Sequence, residues 1–131
     1  MQKSDILSAF NKHLTELFAD MRVAIPDNTD LMLAETSLVA LRKANPRIVI
    51  SNWKIAVADK YREDILKGNI ELFLNKDYSD DLEGTEDSNT ILQKIATVRK
   101  SMKSLEDSNL KKTIGYVQNL TKLCDLYHAD S

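Results

Sequence analysis

Two histidines and one cysteine are the residues of this chain best suited to chemistry. His13 and His128 lie near opposite ends of the sequence, and Cys124 precedes His128 by four residues. Residues four apart share a helix face, so Cys124 and His128 can form a thiol–imidazole pair. A catalytic pair normally also needs a group that orients the imidazole, and the surrounding sequence supplies none. The spacing therefore favours a buried, inert Cys124 and solvated surface positions for both histidines.

A run of carboxylates over residues 77–87 is the second candidate site. It contains six acidic residues and no basic residue in eleven positions. A calcium loop of the EF-hand type needs glycine at position 6 and glutamate at position 12. Leu82 and Ser88 occupy those positions, and neither histidine belongs to a zinc-binding motif. We therefore expect no metal and no cofactor, but an exposed acidic loop that can dock a basic partner through Asp77, Asp80, Asp81 and Glu83.

Basic residues concentrate after this loop. Residues 88–131 hold seven basic and four acidic residues, whereas the whole chain carries a net charge of −2. This pattern indicates either an ordinary solvated helix face or a docking surface for an acidic partner or a phosphate group. Few aromatic residues are available there for base stacking, and the pI of about 5.7 lies far below the value near 9 that nucleic-acid binding favours. The candidate partner-binding residues in this part are Arg99, Lys100 and Lys103.

Other catalytic motifs are missing from the sequence. Three scattered glycines cannot build a glycine-rich phosphate loop. No set of nucleophile, base and orienting group can be assembled from the residues present. We therefore expect a protein that is not an enzyme.

The elements that must position these residues are helices. The 131 residues include only three glycines and two prolines, so long segments run without a breaker. A chain of this length suits one domain. We expect an all-α, single-domain bundle of about five helices, with the acidic loop near residues 77–87. Apolar residues recurring at spacings of three and four predict helices over residues 4–23, 30–44, 46–67, 88–104 and 108–127, and a short helix over residues 69–76.

Capping residues mark several helix ends. Ser4 and Asn45 are candidate N-caps of the first and third helices, and Gly68 is suited to end the third. The helix over residues 30–44 is apolar around much of its circumference, which predicts a central position in the bundle.

The helical stripes predict a single core, in which Trp53 is a structural anchor rather than a ligand-stacking residue. The predicted core residues are Leu14, Leu17, Phe18, Leu38, Leu41, Ile50, Trp53, Val57, Ile95, Val98, Val117 and Leu120.

The sequence also bears on the compartment. A single cysteine fits a reducing environment, and the first residues lack the apolar core of a secretion signal. No stretch approaches the 18 or so apolar residues of a membrane span. We expect an intracellular, cytoplasmic protein with no membrane partner.

The order of several motifs resembles a group of small, all-helical proteins of large double-stranded DNA viruses of protists and algae. The resemblance covers roughly residues 10–80 and implies a virion or virus-factory protein acting in host cytoplasm, without implying any site residues. The motifs that carry it are Leu14, Phe18, Asp30-Leu31, Asn45-Pro46-Arg47, Trp53, Tyr61, Ile65 to Asn69, Phe73 and Asp77-Tyr78.

These features together predict a non-enzymatic protein that binds another protein or itself, as a scaffold, an adaptor or a virion component. The alternative is a nucleic-acid-associated regulatory factor that uses the basic face of the last two helices. Affinity capture from the native source distinguishes the two functions. Recovery of a protein partner would support the first, and recovery that is lost after nuclease treatment would support the second.

Overall fold

The computed structural model of the chain describes residues 2–69, 71, 74 and 86–129. These residues contain no β-strand, and the predicted all-α bundle of about five helices is confirmed. A π-helical turn, Lys54–Ala58, joins α3 (Ile48–Trp53) to α4 (Asp59–Leu66) so that the two form one long helix. The helices of the described part are α1 (Lys3–Ala24), α2 (Thr29–Ala44), α3 (Ile48–Trp53), α4 (Asp59–Leu66), α5 (Glu86–Met102) and α6 (Asp107–His128).

The acidic segment differs from the prediction at its C-terminal end. α5 begins at Glu86, so Glu86 and Asp87 belong to its first turn rather than to a loop. Carboxylates are favoured at that position because the N-terminal end of a helix carries partial positive charge. Residues 77–85 of the predicted loop, and most of the short helix predicted over residues 69–76, lie outside the described residues.

The predicted end of the third helix is confirmed. Gly68 has a φ of 80°, the left-handed conformation that glycine adopts without a steric penalty. The Gly68 N–H donates to the Ile65 carbonyl (3.0 Å) and the Asn69 N–H to the Asp64 carbonyl (2.9 Å). These two bonds form a Schellman motif, which satisfies carbonyls that the helix end would otherwise leave open.

The two predicted N-caps are wrong. α1 begins one residue earlier than Ser4 because the Gln2 carbonyl accepts the N–H of Ile6 at 3.1 Å, which places Ser4 inside the first turn. The Asn45 side chain instead accepts the N–H of Arg47 (3.2 Å), so Asn45 shapes the turn that precedes α3.

One hydrophobic core runs through the bundle, as predicted. Of the predicted core residues, Leu41 is half-buried against the core and the others are buried. Trp53 lies at the centre, 2% exposed, with its ring edge-to-face against Phe10 at a centroid distance of 5.9 Å. Its indole Nε1 donates to Thr121 Oγ1 (3.2 Å), and this hydroxyl donates to the Val117 carbonyl (2.8 Å). The predicted anchoring role of Trp53 therefore has a polar as well as an apolar component.

α2 packs against α1, α3 and α5 and is not central. Its buried residues are Leu31, Ala34 and Leu38, whereas Met32 is 50% and Leu33 56% exposed. The prediction of a central helix was wrong because α2 has more apolar residues than its neighbours cover.

The π-helical turn explains how the long helix keeps its apolar stripe. Trp53, Val57, Tyr61 and Ile65 are all buried although they are spaced by four residues. In a regular α-helix each four-residue step rotates a side chain by about 40°, so three steps would rotate the stripe by about 120°. The wider π turn takes up an additional residue and offsets this rotation. The uninterrupted α-helix predicted over residues 46–67 was therefore wrong at this turn.

Replacing Trp53 by alanine is expected to lower the free energy of unfolding by about 3–5 kcal/mol, because it leaves a cavity and removes the bond to Thr121. Ile55, which lies two residues away and is 63% exposed, provides the control. Ile55→Ala should change stability by no more than about 0.5 kcal/mol. Urea unfolding followed by circular dichroism measures the free energy of unfolding of each variant. Equal stability of the two variants would contradict the anchoring role of Trp53.

Deleting Ile55 is expected to convert the π turn into regular α-helix and to leave a cooperatively folded protein. The deleted residue is exposed, and its removal keeps Tyr61 and Ile65 on the buried face. Deleting the exposed Lys60 instead rotates both side chains away from the core. The free energy of unfolding should then fall by about 1.5–3 kcal/mol for each of the two side chains. Thermal melts compare the two deletions. If deletion of Ile55 is as damaging as deletion of Lys60, the π turn does not accommodate an additional residue.

Candidate functional site

The structure separates the basic residues that were predicted to form one docking surface. Lys100 and Lys103 are exposed at the C-terminal end of α5. Arg99 is only 4% exposed, and its guanidinium carbon lies 5.5 Å from the centroid of the Tyr61 ring. The placement of Arg99 on an exposed surface was therefore wrong, and its position suits a cation–π contact. The predicted acidic residues lie outside the described part of the chain: Asp77, Asp80, Asp81 and Glu83.

The burial of Arg99 has a signal in the sequence. Arg99 follows Ile95 by four residues and precedes Met102 by three, and both neighbours are buried. Helical periodicity places all three on the face of α5 that packs on the core. The long aliphatic stem of arginine can lie along apolar surface, so its charge alone does not predict exposure.

The Cys124 thiol and the His128 imidazole are close, but they do not form a nucleophile–base pair. Cys124 Sγ is buried and donates to the Ile50 carbonyl at 3.4 Å. His128 Nδ1 lies 3.6 Å from Sγ and 2.8 Å from the Cys124 carbonyl oxygen. Because a carbonyl only accepts, Nδ1 carries the hydrogen and cannot take the thiol proton. Burial, followed by the negative charges of Asp125 and Asp59, raises the pKa of Cys124 to about 12, so the thiol is protonated at neutral pH.

The two histidines are half-buried rather than fully solvated. The His13 ring lies edge-to-face against Tyr116, with centroids 6.3 Å apart, and its Nδ1 is 3.8 Å from a carboxylate oxygen of Glu16. Both remain at the surface, since 34% of the His13 side chain is exposed, but α6 covers one side of His13 and the backbone of its own helix holds His128.

A charged cluster holds α4 against α6. Arg62 donates from Nε to Asp125 Oδ2 (2.8 Å) and from Nη2 to Asp125 Oδ1 (2.6 Å). Asp59 lies between Arg62 and Lys54, with its Oδ2 accepting from Lys54 Nζ at 3.0 Å. The hydrogen bond to Asp125 raises the pKa of Arg62 above its ordinary value. Both carboxylates thus bind neighbouring side chains, and the cluster acts as a clamp between helices.

The part of the chain that the structure describes contains no group of three or more histidine, cysteine, aspartate or glutamate residues placed to hold a metal ion. It also contains no helix that combines the length and the apolar character needed to cross a membrane.

Two clefts adjoin at one end of the bundle and share Ser104 as a wall. The first, the α1–α6 cleft, has a volume of about 480 Å³. It is lined by Asp20, Met21, Val23, Ala24, Ser104, Leu105, Glu106, Asn109, Lys112 and Thr113. The second, the α2–α5 cleft, has a volume of about 370 Å³. It is lined by Asn28, Asp30, Thr97, Lys100, Ser101 and Ser104.

Short-range polar contacts fix the helix ends that form these clefts. The Asn28 side chain caps α2 by accepting the Leu31 N–H (3.0 Å), and its Nδ2 donates to Ser101 Oγ of α5 (3.1 Å). The C-terminal end of α1 is tied to α2 by the salt bridge from Arg22 Nε to Glu35 Oε1 at 3.0 Å. We call the combined surface of the two clefts the end surface.

The end surface combines apolar and charged groups. Val23 is 83% exposed at the α1–α6 cleft, above a buried Met21. Close by, burial and then a hydrogen bond and the charge of Asp20 raise the pKa of Tyr116, with a further contribution from Glu16. Asp20 thus places a carboxylate in the lining of this cleft.

Sequence reasoning did not identify this surface, apart from Lys100. The α1–α6 cleft combines residues about 80 positions apart, such as Val23 and Leu105, and no local motif joins them. One signal was present, because Val23 follows the last residue of the apolar stripe of α1, Met21, and is apolar without belonging to that stripe.

A comparison of the chain with known protein families, with curated protein sequences and with solved structures finds no match. The resemblance to helical proteins of large DNA viruses therefore stays a prediction.

The Cys124 thiol is expected to resist modification in the folded protein. At pH 8 a thiol-specific disulfide reagent should react at least about 100-fold more slowly than with the urea-unfolded chain, because the thiol is buried and protonated. Equal reaction rates in the two states would contradict this structural role.

The raised pKa of Cys124 also predicts a loss of stability at alkaline pH. The folded protein keeps the thiol protonated to about pH 12, whereas an ordinary thiol ionises near 9. The resulting stabilisation is full below the ordinary value and is lost as the pH rises towards 12. Cys124→Ala lacks this contribution, so the stability difference between wild type and the variant should narrow above pH 9. The free energies of unfolding of the two proteins are compared by urea unfolding at each pH. A difference between them that stays constant from pH 7 to 11 would contradict the raised pKa of Cys124.

Proposed function

We propose that this protein is a non-enzymatic protein-binding module whose partner binds at the end surface. The observation that carries the proposal is the exposure of Val23, 83% of whose surface meets solvent beside a cleft with an apolar floor and a polar rim. Protein interfaces commonly combine an apolar centre with a polar surround in this way.

The dimensions of the clefts support this function. Their volumes, about 480 and 370 Å³, fall within the range of about 300–1,000 Å³ that binding pockets span. The two clefts meet at Ser104, so an extended or helical segment of a partner can contact both. Lys100 lines the α2–α5 cleft, so one of the residues expected from the sequence belongs to this surface, and the exposed Lys103 directly precedes Ser104 in the chain.

A nucleic-acid partner is the second candidate, because four exposed lysines cluster around the turn from α5 to α6: Lys100, Lys103, Lys111 and Lys112. Carboxylates are interspersed among them, including Asp20 and Glu106 in the α1–α6 cleft and Asp30 in the α2–α5 cleft. These carboxylates repel phosphates and interrupt the continuous basic surface that nucleic-acid binding requires. A protein partner fits the mixed charges better.

Site-specific photo-crosslinking tests the proposal. A photoreactive phenylalanine analogue placed at Val23 should form an adduct with a defined protein in extracts of the native source. The matched control carries the analogue at Leu126, which is 56% exposed on α6 and lines neither cleft. Mass spectrometry identifies the adducts, and nuclease treatment of the extract removes any that depend on nucleic acid.

Val23→Glu provides an independent measurement. A carboxylate at this exposed position should leave the melting temperature within a few degrees of wild type, since most surface changes cost less than about 0.5 kcal/mol. It should nevertheless abolish partner recovery, whereas Leu126→Glu should not. Equal recovery with both variants, or adducts from the Leu126 position alone, would show that the end surface is not the binding site.

A further inference from the structure

We propose that the α1–α6 cleft binds a partner segment that carries an arginine or lysine next to an apolar side chain. This inference rests on the proposed function, since it specifies the chemistry of the segment that occupies the end surface. Three features support it: carboxylates that form no described ion pair, open backbone carbonyls at the end of α1, and apolar residues in the lining of the cleft.

The carboxylates come from two different parts of the chain. Asp20 lies on α1, and Glu106 precedes α6. No described lysine, arginine or histidine lies within salt-bridge distance of either one. Asp20 does interact with the Tyr116 hydroxyl, and Glu16 lies one turn earlier on α1. A cation entering the cleft therefore meets two carboxylates that form no ion pair with the described residues.

The backbone at the end of α1 adds further acceptors. Pro26 has no N–H, so it cannot donate to the carbonyl of Arg22 four residues earlier. No described residue donates a hydrogen bond to the carbonyls of Arg22, Val23 or Ala24, and the last two of these residues line the cleft. These open carbonyls carry the negative partial charge of a helix C-terminus, which favours cationic groups. A guanidinium or ammonium group supplies several donors at once, and a carboxylate supplies none.

The floor of the cleft suits the stem of such a residue. Met21 is 1% exposed, and Ala24 and Leu105 are half-buried beside it. Lysine and arginine side chains lay their methylene groups along apolar surface while the charged end stays near water. An apolar neighbour in the partner segment can then pack on Val23.

Lys112 also lines the cleft, and its removal should change the affinity for a basic segment in the opposite direction from removal of the carboxylates. It forms no salt bridge with Asp20 or Glu106 among the described contacts, so its charge opposes a cationic ligand. Removing Lys112 should strengthen the binding of a basic segment, whereas removing the carboxylates should weaken it. A residue that only supports the fold would not produce opposite effects of this kind.

The probes are two amidated hexapeptides, each with two leucines and two alanines, one carrying two arginines and the other two glutamates. Titration into ¹⁵N-labelled protein is followed by amide chemical shifts. The arginine peptide should shift the amides of Val23, Ala24 and Asn109, with weak affinity that falls as salt is added. Asp20→Asn with Glu106→Gln should weaken this binding about three- to tenfold, and Lys112→Gln should strengthen it about twofold.

Asp5→Asn with Glu63→Gln is the matched control, because it removes two exposed carboxylates outside the cleft and should leave the affinity unchanged. Preference for the glutamate peptide, weaker binding in Lys112→Gln, or shifts spread evenly over the protein would overturn the inference. Crosslinking from Val23 to a partner segment without basic residues would also overturn it while leaving the proposed function standing. Absence of any adduct at Val23 would instead remove the proposed function itself.

Discussion

The long helix from Ile48 to Leu66 must keep side chains that are spaced by four residues in contact with one core. The packing of the neighbouring helices depends on how this helix meets that constraint. The π-helical turn at Lys54–Ala58 absorbs the resulting rotation, so that Trp53 before the turn and Ile65 after it both stay buried. The same turn buries three consecutive residues, Ala56, Val57 and Ala58. Two of these are alanines, whose small size allows neighbouring helices to approach closely. A regular helix of this sequence would expose part of that surface.

α6 packs along α1 and is also fixed to the long helix by polar side-chain contacts. The indole of Trp53 donates to Thr121, Gln118 Nε2 donates to the Ile65 carbonyl at 3.0 Å, and Arg62 binds the Asp125 carboxylate with two hydrogen bonds. These contacts all involve the C-terminal half of α6. α6 contacts α1 from Tyr127, which lies beneath the ammonium group of Lys3, to its N-terminal half, where Asn109, Lys112 and Thr113 form one wall of the α1–α6 cleft. The geometry of the candidate site therefore depends on the packing of α6 against both α1 and the long helix.

The sequence predicted those features that depend on a single helix. Periodicity located the helices and most of the core, and Gly68 predicted the end of α4 because a left-handed residue is needed there. Arg99 was placed wrongly because its charge was given more weight than its spacing from Ile95. The π turn also had a signal in the sequence, namely apolar residues repeatedly spaced by four. Such a spacing also occurs in ordinary α-helices, so it does not by itself predict a π turn. Local patterns cannot decide between these alternatives without the packing partner.

The end surface could not be predicted in the same way, because it consists of helix ends brought together by tertiary packing. The helix faces of this bundle are largely used in the core, whereas helix ends keep backbone groups without intrahelical partners. Pro26 leaves such a carbonyl at the end of α1, and α6 begins at Asp107 without a side-chain cap. A partner can bind these groups without disturbing the core, since no buried contact has to break. In a small bundle with one continuous core, recognition at helix ends is therefore compatible with stability in a way that recognition through the packed faces is not.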